Sequence, residues 1–431
     1  MKRFVWNDLT AVEKENALAR PPQRADEELQ AAVRSIVADV RERGWQGVCD
    51  IAGRIDGAIP CEVDIEPLAE RARGRLPAEQ VQALELAAGS IRAFHEASVP
   101  SEFSMETVPG VTVRKTWRAI DRIGLYVPGG KTPLFSSLLM LAIPARAAGV
   151  TDIVTVTPPR PDGALDDLIA LAAELAGIER IWTVGGAQAI AALAFGAGPI
   201  PKVDKICGPG NSWVAEAKRL VSSLPGGPAI DMPAGPSELM VIADESGDPR
   251  LVAADLLSQA EHDPAAQVLL VSLCTKLADK VLAEVSERAA VLPRRDIVDE
   301  SLKNARIIKV ASLEDAVRLA NSYAPEHLSL AVRSPDEVIS DIRNAGAVFS
   351  GSFAAETFGD YLVGSSHVLP TDGAARAWGG VSVYTFLKAM SVQSVTVEAA
   401  RRLAGPAAVL ARMEALEAHA LAAVARLELV A

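Results

Sequence analysis

The stretch RIGLYVPGGKTPLFSSLLMLAIPARAAGV, residues 122–150, decides the fold class. It begins with a short apolar run, 122–127, that is typical of a buried strand and leads into a Pro/Gly turn. Residues 136–148 then have the length and composition of a buried helix, which we expect to end at Gly149. DIVTVTPP, residues 152–159, follows as a second strand. The stretch therefore predicts a strand, a crossover helix and a parallel strand.

The same alternation of strands and helices continues along the chain in two runs. The first run extends through residue 221 and the second begins with SELMVIAD, residues 237–244. Further strand candidates are AQVLLVSL (266–273), ARIIKV (305–310), HLSLAV (327–332) and AGAVFSG (345–351). We predict an α/β fold of two Rossmann-like parallel-sheet lobes that divide near the Pro/Gly-rich segment 224–238.

The two ends of the chain have helical patterns. Apolar residues recur at helical spacing in the first hundred residues and again in the last thirty. The predicted domains are an N-terminal helical arm or cap (1–110), a first α/β lobe (111–235), a second α/β lobe (236–375) and a C-terminal helical tail (376–431). We expect the tail to reach outward to a partner subunit.

Composition excludes several classes of function. Of the 431 residues, 49% are apolar and 23% are charged, and the net charge of −12 disfavours binding to nucleic acid. The N-terminus lacks the apolar core of a secretory signal, and no uncharged apolar run is long enough to cross a membrane. The four cysteines form no CxxC pair. These features predict a cytoplasmic protein with reduced thiols.

Histidines and carboxylates provide the candidate metal ligands. Four of the five histidines lie in the second half of the chain, and each of the four lies near a carboxylate or an amide. Imidazole nitrogens and carboxylate or amide oxygens suit Zn²⁺. The alternative is a set of ordinary polar residues in the core or in solvent. The pairs are Gln259 with His262, Asp360 with His367, and Glu414 with His419.

Two shorter motifs have both a functional and a structural interpretation. Glu326 and His327 are adjacent, so they can cooperate as an acid/base pair only if they lie at a turn, which Pro325 permits. The alternative is the exposed start of a strand. GPGNS, residues 208–212, places glycines between a strand and a helix. Such a turn favours an anionic ligand, although a plain tight turn explains it equally well.

Motifs over residues 115–420 resemble those of the histidinol dehydrogenase family in order and spacing. The matching blocks are residues 122–150, VGGAQAIAALAFG, VDKICGPGN, AGPSE, SQAEHD, YAPEHL and GDYLVGSSHVLPT. The resemblance implies a homodimer with composite active sites that oxidises L-histidinol to L-histidine, the last steps of histidine biosynthesis. It also implies one Zn²⁺ per subunit and two NAD in succession, with histidinal held as a bound intermediate.

The resemblance also implies a role for individual residues. His327 matches the base of the hydride-transfer steps, and Glu326 matches the group that activates water. Gln259, His262, Asp360 and His419 match the zinc ligands, His419 being expected from the partner subunit. Ser237, His367 and Glu414 match substrate contacts, which Ser136 and Glu356 are expected to join. Tyr126, Gln188 and Asn211 match the NAD positions, which places NAD on the first lobe and the zinc and acid/base residues on the second.

The chain departs from the family pattern near the expected substrate pocket. Ser366 stands where the family usually has Asn, and Trp378, Gly379 and Gly380 replace a Ser-rich segment. The alternative is therefore a paralogous NAD-dependent dehydrogenase of another small alcohol, such as a sulfonated propanediol. An anionic sulfonate suits Glu414 badly, which favours histidinol. Two other classes remain as alternatives, a zinc hydrolase that uses Glu326 as base and a non-catalytic pair of binding lobes.

Overall fold

The computed structural model describes residues 1–21, 27–129, 132–233 and 235–428. Gly130 of the predicted Pro/Gly turn and Ala234 of the predicted divide between lobes lie outside these ranges. The strands are β1 (Lys2–Val5), β2 (Glu62–Asp64), β3 (Phe103–Val108), β4 (Val111–Ala119), β5 (Arg122–Tyr126), β6 (Asp152–Thr157), β7 (Arg180–Thr183), β8 (Lys205–Cys207), β9 (Ala229–Ile230), β10 (Glu238–Ala243), β11 (Gln267–Ser272), β12 (Arg306–Lys309), β13 (His327–Ala331), β14 (Ala347–Ser350) and β15 (Leu387–Val395).

Seventeen α-helices lie in the described part of the chain. They are α1 (Ala11–Leu18), α2 (Glu27–Arg43), α3 (Trp45–Ile55), α4 (Ile65–Arg75), α5 (Ala78–Ala97), α6 (Phe135–Ala147), α7 (Asp167–Leu175), α8 (Gly186–Phe195), α9 (Ser212–Ser222), α10 (Pro249–Ala260), α11 (Thr275–Ala289), α12 (Arg295–Asn304), α13 (Leu313–Tyr323), α14 (Asp336–Ile339), α15 (Glu356–Tyr361), α16 (Val397–Met413) and α17 (Glu417–Glu428).

Two six-stranded sheets form the centres of the two predicted lobes. The first has the order β2-β7-β6-β5-β8-β9 and is parallel except for β2, and the second has the order β1-β12-β11-β10-β13-β14 and is parallel throughout. Helices cover both faces of each sheet, so the central strands are apolar on both sides. All six residues of β10, for example, are buried. The predicted fold class, two Rossmann-like α/β lobes with helical ends, is confirmed.

The N-terminal region contributes to both sheets. β1 pairs with β12 in the second sheet and β2 pairs with β7 in the first. The sequence predicted helices here, and α2 and α3 do pack against α8 of the first lobe. The two short strands were not predicted, because three or four residues are too few to show an apolar period. The domain boundaries themselves stay a prediction.

The C-terminal tail combines a strand with two helices. β15 pairs with β4 in an antiparallel sheet of three strands, ordered β15-β4-β3. After it, α16 and α17 pack against each other, and the polypeptide turns between them at Ala415, which has a φ of 58°. Within the described ranges, none of the helices combines the length and apolar character that crossing a membrane requires.

Each large sheet has a position at which the chain reverses its direction of strand addition. In the first sheet this point lies between β5 and β8, and in the second it lies between β10 and β13. Open parallel sheets usually bind ligands beyond the carboxyl ends of their strands at such a point. Tyr126 is the last residue of β5, so it lies at the carboxyl edge of the first sheet. In the second sheet, however, Glu238 and His327 begin β10 and β13, at the amino edge.

Candidate active site

Glu326 and His327 lie where a turn becomes a strand. α13 ends at Tyr323, Ala324 has left-handed backbone angles, with φ of 55° and ψ of 68°, and β13 begins at His327. Both side chains are buried, and Oε2 of Glu326 lies 3.5 Å from Nδ1 of His327. This is the turn that the sequence argument required, so the two adjacent residues meet rather than point to opposite faces of the sheet.

The main chain of Glu238 contacts both members of the pair. Its N–H donates to Oε2 of Glu326 at 2.8 Å, and its carbonyl oxygen lies 3.1 Å from Nδ1 of His327. A carbonyl oxygen can only accept, so Nδ1 carries the proton in this hydrogen bond. In the neutral ring, Nε2 then holds the lone pair. Nε2 is buried and has no hydrogen-bond partner in the part of the chain that the structure describes, which leaves it available to a reacting group.

Three carboxylates surround the imidazole of His327. Besides Glu326, Oε1 of Glu356 lies 3.6 Å from Nδ1, and Oδ1 of Asp360 lies 3.7 Å from Nε2. Burial alone would lower the pKa of His327, but the three carboxylates have the larger effect and raise the pKa to about 10. Burial raises the pKa of Glu356 to about 8. The cluster therefore has more negative than positive groups and favours a cationic ligand.

Asp360 belongs to one group of side chains that could hold a metal ion, and two further expected ligands lie on and just after α10. His327, Glu356 and Asp360 each offer an atom within 4.8 Å of the others. Gln259 and His262 form a second pair, with Nε2 of Gln259 lying 3.2 Å from Nδ1 of His262. α10, which carries Gln259, packs against α15, which carries Asp360. Oγ of Ser258 also donates to Oε2 of Glu356 at 3.3 Å and joins the two helices at the site.

The residues that resemblance assigns to zinc fit a divalent cation. Oε1 of Gln259 is buried and has no partner among the described residues, as expected for an oxygen that awaits a ligand. Amide oxygen, imidazole and carboxylate form a donor set that Zn²⁺ accepts. Glu414 and His419 are exposed on the tail, and within the described chain neither is paired with a site residue. One chain thus brings three of the four expected ligands onto adjoining elements.

His367 joins the two lobes. Its Nδ1 donates to the carbonyl oxygen of Asp360 at 3.0 Å, so its Nε2 accepts from Oγ of Ser137 at 3.1 Å. Burial lowers the pKa of His367, which favours the neutral ring. Ser136, the serine expected at the substrate, is buried beside Ser137 in α6.

Ser237 is the remaining expected substrate contact, and Ser366 and Trp378 mark the departures from the family pattern. Ser237 immediately precedes β10, and its carbonyl accepts from the N–H of Gln267 at 3.0 Å. Oγ of Ser366 accepts from the N–H of Val368 at 3.1 Å. The serine that replaces the family's usual Asn is therefore engaged with its own turn. Trp378, which begins the other departure, is 45% exposed.

The expected NAD positions gather at the carboxyl edge of the first sheet. The hydroxyl of Tyr126 accepts from the N–H of Gly186 at 3.2 Å, and Nε2 of Gln188 donates to Asp56 at 3.4 Å. Asn211 caps α9 through Oδ1. A Cβ at Gly208 would lie 2.0 Å from the carbonyl oxygen of Tyr126, so only glycine fits there. The end of β5 and the residue after β8 are therefore in close contact at the point where this sheet reverses its strand order.

Four further residues of the site were not identified from the sequence. They are Arg20, Ser137, Glu238 and Ser258. Glu238 offered one signal, because a charged residue at the start of the apolar strand ELMVIA needs a reason for its burial. The other three have no distinguishing pattern, since their contacts join segments far apart in sequence.

Comparisons with known proteins agree with the resemblance found in the motifs. The family model described as histidinol dehydrogenase matches residues 19–427. A protein named histidinol dehydrogenase from Xanthomonas campestris pv. campestris is 45% identical over 433 residues, with 99% of each chain covered. One of the same name from Mannheimia succiniciproducens is 43% identical over 420 residues, with 97% of each covered. The solved histidinol dehydrogenase of Elizabethkingia anophelis superposes with a TM-score of 0.95 at 38% identity, covering 100% of this chain and 98% of that one.

These matches decide between the classes of function that the sequence left open. They confirm an enzyme, an oxidoreductase of histidine biosynthesis that acts on a small molecule, against the hydrolase and the non-catalytic lobes. From its motifs, its fold and these relatives, the chain belongs to the histidinol dehydrogenase family.

Proposed function

We propose that the chain catalyses the zinc- and NAD-dependent, four-electron oxidation of L-histidinol to L-histidine through bound histidinal. The observation that carries the proposal is the hydrogen bond from Nδ1 of His327 to the carbonyl of Glu238. Once a bound cation offsets the carboxylates that raise the pKa of His327, this bond directs the lone pair of the neutral imidazole into the site. A base near an alcohol and a carboxylate near a water are what the two successive oxidations require.

Zinc is proposed at Gln259, His262 and Asp360, with His419 of the partner subunit as the fourth ligand. A metal bound there would orient the substrate and would neutralise part of the surrounding negative charge. The unpaired Oε1 of Gln259 supports this position. The carboxylates of Glu326 and Asp360 keep the site negative, which suits the amino group of histidinol.

NAD is proposed at the carboxyl edge of the first sheet, beside Tyr126, Gln188 and Asn211. When bound, it accepts a hydride in each of the two oxidations, and the protein supplies position. The reversal of strand order between β5 and β8 supports this placement. The bond between Ser137 and His367 brings this edge to the second lobe, where the acid/base pair lies.

His327 and Glu326 are proposed to divide the proton transfers. Nε2 of His327 removes the hydroxyl proton of histidinol in the first oxidation and serves again as base in the second. Glu326 activates the water that adds to the aldehyde. Its Oε2 is held by the N–H of Glu238, which supports a carboxylate in a fixed position.

The substrate is proposed to contact His367, Ser237, Ser136 and Glu356, with Glu414 of the partner subunit. The alternative substrate, a sulfonated propanediol, is disfavoured by the cluster of carboxylates, which would repel a sulfonate.

The exposed positions of Glu414 and His419 support the composite dimer. We retain the cytoplasm as the proposed location.

The test is the amount of NADH formed per L-histidinol consumed by the purified protein. Two NADH per histidinol, lost on chelation and restored by Zn²⁺, would establish the proposal. A zinc-loaded protein that binds NAD but forms no NADH from histidinol would refute it, and 2,3-dihydroxypropane sulfonate would then be assayed as the alternative substrate.

A further inference from the structure

The structure assigns Arg20 as a positioning residue for the acid/base pair. Arg20 follows α1 in the N-terminal region and reaches two segments of the second lobe through one guanidinium group. The inference rests on the proposed roles of Glu326 and His327 and adds a residue that acts on both.

The first contact is with the side chain of Glu238. Nε and Nη2 of Arg20 donate to the two carboxylate oxygens, Nη2 at 2.9 Å, and the N–H of Asp372 donates to Oε1 at 2.9 Å. The carboxylate is buried, and an unpaired charge there would be costly. The paired fork fixes the side chain in one orientation. The N–H and carbonyl groups of Glu238 bond to Glu326 and His327. By fixing the side chain of Glu238, Arg20 therefore also fixes these two main-chain groups, which orient the acid/base pair.

The second contact is with the turn that precedes the pair. Nη2 of Arg20 also donates to the carbonyl oxygens of Tyr323 at 2.9 Å and Ala324 at 3.4 Å, and the guanidinium lies 3.9 Å from the centre of the Tyr323 ring. Ala324 is one of three non-glycine residues with positive φ in the described chain. Such a conformation persists only when its surroundings hold it. Arg20 thus also stabilises the strained residue two positions before Glu326.

A simpler interpretation is that Arg20 only attaches the N-terminal region to the second lobe. Arg306 offers a matched control for that role. Its Nη1 donates to the carbonyl of Ala17 at 2.6 Å, at the end of the same helix, and it is partly buried like Arg20. In the described structure, Arg306 makes no hydrogen bond to Glu238, Ala324 or the acid/base pair.

The experiment compares Arg20→Met, Arg20→Lys and Arg306→Met in the full-length, zinc-loaded enzyme. We expect Arg20→Met to lower kcat about 10- to 100-fold, because the pair loses its fixed orientation. The KM values for histidinol and NAD should change less than about twofold, since Arg20 contacts Glu238, Tyr323 and Ala324 and none of the residues proposed to bind either ligand. Arg20→Lys keeps the charge without the fork and should recover part of kcat. Arg306→Met should lower the melting temperature with kcat within about twofold of wild type.

Two results would overturn the inference. One is an Arg20→Met enzyme with wild-type kcat, and the other is an equal loss of kcat in Arg306→Met. If Arg20→Met does not fold, Glu238→Gln provides the same test, because it retains the main chain and weakens the ionic pair. A wild-type kcat in Glu238→Gln would also overturn the inference.

His327→Asn separates this inference from the proposed function. If His327→Asn is fully active, the proposed function fails; if it is inactive while Arg20→Met is fully active, only the positioning role fails.

Discussion

Ser137 and His367 are joined by a hydrogen bond of 3.1 Å that connects the two lobes. Ser137 lies at the start of α6, just beyond the carboxyl end of β5, and His367 is bonded to the carbonyl of Asp360 in the second lobe. The carboxyl edge of the first sheet therefore meets the amino edge of the second, where β10 and β13 begin. A cofactor on one edge and an acid/base pair on the other would face a shared substrate.

Removing this link should affect substrate binding more than turnover. In Ser137→Ala, Nε2 of His367 loses its buried donor and the ring loses its fixed orientation. We expect the KM for L-histidinol to rise about 3- to 30-fold, the equivalent of roughly 0.7–2 kcal/mol, with kcat within about threefold. Steady-state kinetics with saturating NAD measures both. Ser301→Ala is the control, because Ser301 is also buried and bonded, to the carbonyl of Ala266 at 3.1 Å. Equal KM values in both variants would contradict the role of His367.

Metal binding should depend on Asp360. Asp360→Asn keeps the shape of the side chain and removes the charge, so we expect zinc content after dialysis to fall at least about tenfold. Activity of the wild type should disappear on chelation and return with Zn²⁺. Zinc per subunit is measured by atomic absorption. Glu245→Gln, which alters an exposed ion pair with Arg333, is the control. Full zinc occupancy in Asp360→Asn would show that the metal lies elsewhere.

The composite site can be tested by mixing two inactive subunits. His327→Asn and His419→Ala dimers are dissociated together and reassociated. If His419 serves the partner subunit, each heterodimer has one intact site. Half of the dimers are then mixed and half of their sites work, so activity should recover to about one quarter of wild type. If His419 serves its own chain, both sites stay defective and no activity returns.

His95 should make the protein sensitive to acid. It is 1% exposed, neither ring nitrogen has a partner among the described residues, and burial lowers its pKa to about 4. The unfolded state takes up its proton near pH 6.5, before the folded state does, so this contribution to stability is present above about 6.5 and is lost as the pH falls towards 4. Relative to His95→Leu, the wild type should lose up to about 3 kcal/mol of unfolding free energy from pH 7 to 4. Denaturant titrations measure this difference, and a constant difference would contradict it.

Local patterns in the sequence predicted the elements of the second lobe but not the contacts that orient its acid/base pair. The alternation in HLSLAV and the Pro before it placed Glu326 and His327 at the start of a strand, which the structure bears out. That Glu238 holds both residues follows from the pairing of β10 with β13, which one sequence does not specify. The role of Arg20 could be predicted even less, because its contact with Glu238 depends on how the N-terminal region packs against the second lobe.

Residues that are proposed to act in a partner subunit cannot be recognised from local patterns either. His419 and Glu414 are ordinary exposed residues of a helical tail in this chain. Their candidate roles came from the resemblance to the family. Physical reasoning on one chain could identify the residue types that suit zinc, but it could not pair ligands separated by more than a hundred residues.

The division of labour between His327 and Glu326 is tested most directly by the NADH yield of single-site variants. Glu326→Gln retains an oxygen that can accept from the N–H of Glu238, so the first oxidation should proceed. Enzyme in excess over histidinol should then form one NADH per histidinol and stop at the aldehyde, while His327→Asn should form none at a comparable rate. Two NADH per histidinol from Glu326→Gln at the wild-type rate would contradict the account.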